Sequence, residues 1–269
     1  MTPYRDAARR LMLTSALVLG LALSAGCAIN KGSALAEHFE QEWADTADVA
    51  EIDTHGRNTL PFAGTATATL ILEDGTSAER VTELAHELGA YVADHRGVTG
   101  EISAGGITFA VAPNRERTGD VVALWESLTA DERVASGLID IGYQNDDEWT
   151  IEIVAVDAAG ALALFKEMVG ETDQYRPFSS AVTSLQIDTE REAELSVRVS
   201  TDPEGNVPAE AIAAYEAVAA QYPVVSGGLA PDRAGIVVAA GTDLVEAGEL
   251  ARSSAPGLTD IEVTADSGN

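Results

Sequence analysis

The sequence predicts an α+β fold built from repeated β-α-β units. Runs rich in β-branched residues return about every 40 residues, a period that marks a repeated supersecondary unit. A stretch with apolar residues at helical spacing follows each run. A second short apolar run then closes each unit.

The elements follow in order. Residues 33–54 supply a helix with Leu35, Phe39 and Trp43 on one side, then the strand VAEIDT (49–54). Opening strands begin near Thr67 (TATLIL), Ile107 (ITFAVA), Thr150 (TIEIVAV), Leu195 (LSVRVS) and Gly235 (GIVVAA). Helices are expected over 77–93, 119–128, 158–169, 208–220 and 244–253. In the first of these, Val81, Leu84, Ala85, Leu88 and Val92 make one apolar stripe, and Ser77 stands where an N-cap belongs. Pro208 suits a first helical position. Closing strands read VASGLIDIG (134–142), VTSLQIDT (182–189) and LTDIEVT (258–264). GVTGEIS (97–103) and VVSGGLA (224–230) are also closing strands. They run into tight turns at 104–106 and 231–233, where Gly-Gly and Pro-Asp permit a hairpin.

Residues 67–143 and 191–269 therefore share the order β-α-β-β-α-β, and this order resembles the ferredoxin-like plait. The resemblance implies tandem plaits, each an antiparallel sheet with right-handed crossovers and helices on one face. The division expected is 1–26 leader, 27–66 tether with an α-β segment, 67–143 module, 144–190 β-α-β half module and 191–269 module. A grouping of 33–104, 107–188 and 194–264 fits the same string.

The N-terminus carries the clearest address. Arg5, Arg9 and Arg10 precede the uncharged run Leu11–Leu23, and small residues follow. This is the layout of a secretory signal. Thirteen residues reach roughly 20 Å as a helix, short of a ~30 Å hydrocarbon core. The only Cys of the chain follows at once. Leu23-Ser24-Ala25-Gly26-Cys27 resembles the lipobox of bacterial lipoproteins, with Ser24 where the family usually has Leu. The resemblance implies diacylglycerol attachment to the Cys27 thiol, cleavage between Gly26 and Cys27, an acylated new N-terminus (palmitate among the acyl groups), and a membrane anchor on the extracytoplasmic face. Arg9-Arg10 also fits a twin-arginine export signal, so the export route stays open. With only two Lys and abundant Ala, the composition points to a high-GC, actinobacterial-type genome.

Charge narrows the function. The chain has 16 Lys+Arg against 44 Asp+Glu, a formal charge of −28, and without residues 1–26 it would carry −30. Nucleic acids and anionic headgroups need a basic face, so neither is an expected partner. One Cys excludes a disulfide framework.

No nucleophile elbow, dinucleotide loop, P-loop or C-x-x-C occurs. His86-Glu87 starts an H-E-x-x-H pattern but Ala90 replaces the second His. His38, His55, His86 and His95 fall in different elements except for the last pair, which at nine residues apart would lie on opposite helix sides. The acidic turns 145–148 and 202–206 lack the EF-hand order. Trp43 and Trp125 read as core residues, and Trp149 beside an acidic turn reads as exposed. The expectation is a non-catalytic interaction or scaffold lipoprotein with no metal and no cofactor. Its helix-free sheet face would take a protein partner. The alternatives are a small-ligand or cation-binding lipoprotein and a hydrolase using dispersed carboxylates.

Overall fold

Side chains at the helix starts decide where most helices begin. In a computed structural model, residues 30–60, 63–142, 148–170, 174–175, 184–190 and 193–267 are described. Ser77 accepts from the amide of Arg80 (3.3 Å) and opens α2. The α2 helix spans Ala78–Asp94. Asn114 accepts from Glu116 N (2.9 Å) and opens α3, Arg115–Thr129. Asp157 opens α4, Ala158–Val169, and Asp243 opens α6, Leu244–Ser254. In each, an oxygen takes one of the amides that an α-helix leaves without an internal partner. Pro208 precedes α5, Ala209–Ala219, rather than standing inside it.

The first helix, α1 (Lys31–Trp43), is capped from a distance. Asn58 Oδ1 accepts from Gly32 N at 2.8 Å, and Asn58 Nδ2 donates to Ser33 Oγ at 3.1 Å. Asn58 lies in β1 (Val49–Leu60), which pairs antiparallel with β2 (Ala63–Leu72). Backbones nearly touch here. A Cβ on Gly32 would stand 2.5 Å from the Arg57 carbonyl oxygen, and one on Gly64 2.3 Å from Gly32 N. Only glycine permits that approach.

The remaining strands are β3 (Val98–Ala104), β4 (Ile107–Ala110), β5 (Val134–Ile141), β6 (Trp149–Ala155), β7 (Ser184–Thr189), β8 (Ser196–Ser200), β9 (Val224–Ala230), β10 (Arg233–Val238) and β11 (Asp260–Ala265). The fold class is the expected one, α+β made of repeated β-α-β units. All eleven strands join one sheet, and their order in space is their order in sequence. Hairpins alternate with parallel crossovers: β2 and β3 are parallel, β3 and β4 antiparallel, and so on to the parallel pair β10 and β11.

How the units join is the new information. In a plait, each crossover leaves room for a third strand between its two strands. Here the crossover strands are direct neighbours, for example Thr67 opposite Thr99. The expected antiparallel modules 67–143 and 191–269 are thus merged, with 144–190 between them, into one mixed sheet.

One face of that sheet is buried throughout. Register lines up Leu70, Ile102 and Phe109, and again Ile151, Leu185 and, through Ile187, Val199. A single apolar cluster runs from Phe39 to Leu258 and includes helix residues from α1 through α6. Each buried aliphatic side chain contributes about 1.5–3 kcal/mol. The helices therefore share one side, as expected. Strand direction reverses at every hairpin while the sheet advances one way, so successive crossovers alternate in hand. The uniform right-handed crossover expected from the plait does not hold here.

Two small residues make the packing possible at matching places in the repeat. Gly100 of β3 lies under Leu88 and Val92, with 2.9 Å from a Cβ to either. Gly227 of β9 lies under the Tyr215 ring, with 2.7 Å. Trp125 is buried and donates from Nε1 to Ala104 O at 3.0 Å. Trp43 is also buried, as expected. Trp149 is not exposed: it is only 3 % accessible, because as the first residue of β6 it points to the core beside Ile141.

Candidate functional site

Cys27 and Gly26, the two residues singled out for lipidation and cleavage, lie outside the described residues. Among the described residues no helix is long and apolar enough to cross a membrane.

The largest feature left for function is the sheet face without helices. Alternation puts Thr65, Thr67, Thr69 on it from β2, and Thr99 and Glu101 from β3. Thr150 and Glu152 of β6, Gln186 and Asp188 of β7, and Arg198 of β8 continue it. Side chains are tied to each other both across and along strands. Thr69 donates to Glu101 at 2.8 Å, Gln186 to Asp188 at 2.7 Å, and Arg198 Nε to Asp188 at 2.6 Å. The carboxylates of Asp188 and Glu152 push the Arg198 guanidinium above its ordinary value. Toward the last strands the face is bare. Gly228 and Gly235 are register partners, and a Cβ on either would meet nothing within 4 Å.

The acids of this face outnumber its arginines. Glu51, Asp53, Glu101, Asp140, Glu152, Asp188, Asp260 and Glu262 stand against Arg57, Arg198 and Arg233. The surface is therefore hydroxyl-rich and negative.

The four histidines separate into three settings. His55 is exposed in β1, opposite Thr67. His86 sits in the middle of α2, facing α3, in a groove with Arg80, Glu83 and Arg115. Its Nδ1 is buried with no hydrogen-bond partner. Burial first, and the Arg115 charge second, lower its pKa, so it is neutral. The half-motif His86-Glu87 gathers no further imidazole. His38 and His95 meet instead, with ring centroids 5.4 Å apart. His38 comes from α1 and His95 from the C-cap of α2. Tyr91 touches both. Its ring stacks on His95 at 3.9 Å and 14°, and its hydroxyl is 3.1 Å from His38 Nδ1. Burial first, and the Glu42 charge second, raise the Tyr91 pKa.

A second polar cluster lies between α3 and α4. Arg133 spans Asp131, at 2.7 Å, and Glu167, at 2.6 Å. Tyr175, only 2 % accessible, donates to Asp131 at 2.5 Å. Arg133 and Tyr175 together hold the Asp131 carboxyl down at about 2, Arg133 contributing most. Burial, helped by Asp131, drives the Tyr175 phenol upward. Every charged group here has an opposite partner, and neither carboxyl is raised as a general acid would be. The cluster is a fastening.

Of the two acidic turns, 145–147 lie outside the described residues. In the other, Asp202 accepts from both Asn206 N and Asn206 Nδ2 at 2.7 Å, so its oxygens are used within the turn. The chain matches no family model, no curated protein and no solved structure.

Proposed function

We propose that this chain is a non-catalytic interaction protein, held by an acylated Cys27 on the extracytoplasmic face of a membrane. Its helix-free sheet face would receive a basic, hydrophilic protein partner. The observation that supports the reading is the one-sided layering: helices cover one face of an eleven-stranded sheet and leave the other polar, hydrogen-bonded and acidic. An open face of this size needs no apolar cover, because its strands alternate in-facing aliphatics with out-facing Thr, Ser and acids. The signal-like leader and lipobox-like Leu23–Cys27 support the location. One acyl chain gives marginal binding and two give a stable anchor.

Two experiments test the two halves. Metabolic labelling with a fatty-acid analogue should mark the wild type and not Cys27→Ala; equal labelling of both overturns the anchor. A photo-crosslinking residue at Thr67 or Thr150 should give a discrete adduct in cells, and the same residue at Glu126 on the helix side should not. Equal adducts from both sides, or none from the sheet side, overturn the docking face.

A further inference from the structure

We propose that His38, Glu42 and His95 form a binding site for a first-row divalent cation of the zinc class, which pins α1 to the end of α2.

His38 and Glu42 are one turn apart on α1, so both side chains leave the same side of the helix. His38 Nδ1 is 3.6 Å from Glu42 Oε2. His95 arrives from the other helix, and the three ligand atoms all lie within 4.8 Å of one another. Tetrahedral zinc at about 2.0–2.1 Å from each ligand holds them roughly 3.3 Å apart. Closing that gap needs only side-chain rotation. His38 and Glu42 are 56 % and 51 % exposed, so both can turn, His38 giving up the contact of its Nδ1 with the Tyr91 hydroxyl.

The supporting contacts favour a ligand role. His95 Nδ1 is 2.9 Å from the Tyr91 carbonyl, which only accepts. The proton is therefore assigned to Nδ1, and Nε2 keeps its lone pair for a metal. The Tyr91 ring stacked beneath fixes the plane of that imidazole. The groove alongside is lined by Glu42, Glu87 and Asp94, with no Lys or Arg among its lining residues. Two imidazoles and one carboxylate suit zinc and its first-row neighbours rather than calcium or magnesium. Three protein ligands leave a fourth position for water. The ion would join the first helix after the tether to the body of the protein, adding to the packing of Phe39 and Trp43 on Tyr91.

Calorimetric titration of Zn²⁺ into the full-length, untagged protein in detergent should show one saturable equivalent at neutral pH. Co²⁺ in its place should give visible absorption of a four- or five-coordinate ion. His38→Ala, His95→Ala and Glu42→Gln should each weaken uptake at least about tenfold, a loss of the size that disturbing a metal's ligand shell produces. His55→Ala and His86→Ala should leave the titration unchanged. Zn²⁺ should raise the Tm of the wild type and of the His55→Ala and His86→Ala controls but not that of the three ligand variants, while without metal the ligand variants melt like the wild type, which separates lost ligation from lost folding. No saturable uptake by the wild type overturns the site. So does an unaltered titration in the His38→Ala/His95→Ala double variant, since binding would then belong to the acidic surface at large.

Discussion

The hydroxyl of Tyr175 donates to Asp131 across 2.5 Å, and the same carboxylate also accepts from the backbone N–H, Nε and Nη2 of Arg133. The loop after α3 is thereby tied both to α4, through Glu167, and to a buried tyrosine. Tyr175→Phe should cost about 1 kcal/mol and Asp131→Asn about 1–3 kcal/mol, read as shifts of the urea midpoint at constant slope.

The pH dependence has a defined sign. Asp131 sits at about 2 in the folded protein, below the ordinary 3.8. A depressed carboxyl stabilises fully above its unfolded value, and the effect fades as pH falls through the folded one. The stability gap between wild type and Asp131→Asn should therefore be constant near neutrality and shrink between about pH 4 and 2. A gap that widens on acidification contradicts the assignment.

Gly227 and Gly228 are neighbours with opposite surroundings. A Cβ at Gly227 would stand 2.7 Å from Tyr215 Cε2, and one at Gly228 would meet nothing. Gly227→Ala should lose about 1–3 kcal/mol by overpacking. Gly228→Ala should be neutral or gain a few tenths through the unfolded chain, about 0.4–1 kcal/mol at most. Thermal melts of the two variants in parallel check the contrast.

The strand order is open to chemistry. Thr67 and Thr99 are parallel partners in β2 and β3. In a Cys27→Ala background, Thr67→Cys/Thr99→Cys should oxidise readily, since adjacent strands are about 5 Å apart. Thr67→Cys/Thr108→Cys should not, because β3 stands between, about 10 Å across the sheet, and Thr108 pairs with Ser103, four residues along β3 from Thr99. A plait, which interleaves its strands, gives the reverse result.

The long-range cap at α1 predicts a local effect. Asn58→Ala removes the acceptor for Gly32 N, and the first turn of α1 should lose about 1 kcal/mol. Faster amide exchange confined to residues 31–36 is the expected readout, with the core strands unchanged.

Element types were legible in the residues because apolar spacing is local. The stripe Val81, Leu84, Leu88, Val92 is buried as read, and the two glycine- and proline-led turns do make hairpins. Boundaries moved where a cap or a partner strand intervened. Asn114 starts α3 at Arg115, four residues before Gly119. Residues 55–60, beyond the strand read over 49–54, are drawn into β1 by pairing with β2. Strand order was not legible, since a split crossover and a direct one read identically along the chain. The meeting of His38 with His95 was equally hidden: α1 and α2 are separated by a hairpin, and only tertiary packing brings them together. A Tyr one turn before a helix-ending His, with His-x-x-x-Glu on a nearby helix, is the hint that was there.

A sheet laid down in chain order makes each unit answer chiefly to the units on either side of it. Cooperativity in such an array is passed along like a zip, and opening starts where neighbours are fewest. The last strand fits that role: β11 has no fully buried residue, and the buried residues of α6, the helix beside it, are only Ala247, Gly248 and Ala251. Trimming from the C-terminus should thus shorten the protein by whole turns of its repeat while the earlier strands keep their places. Duplicating one such turn would lengthen it in the same way.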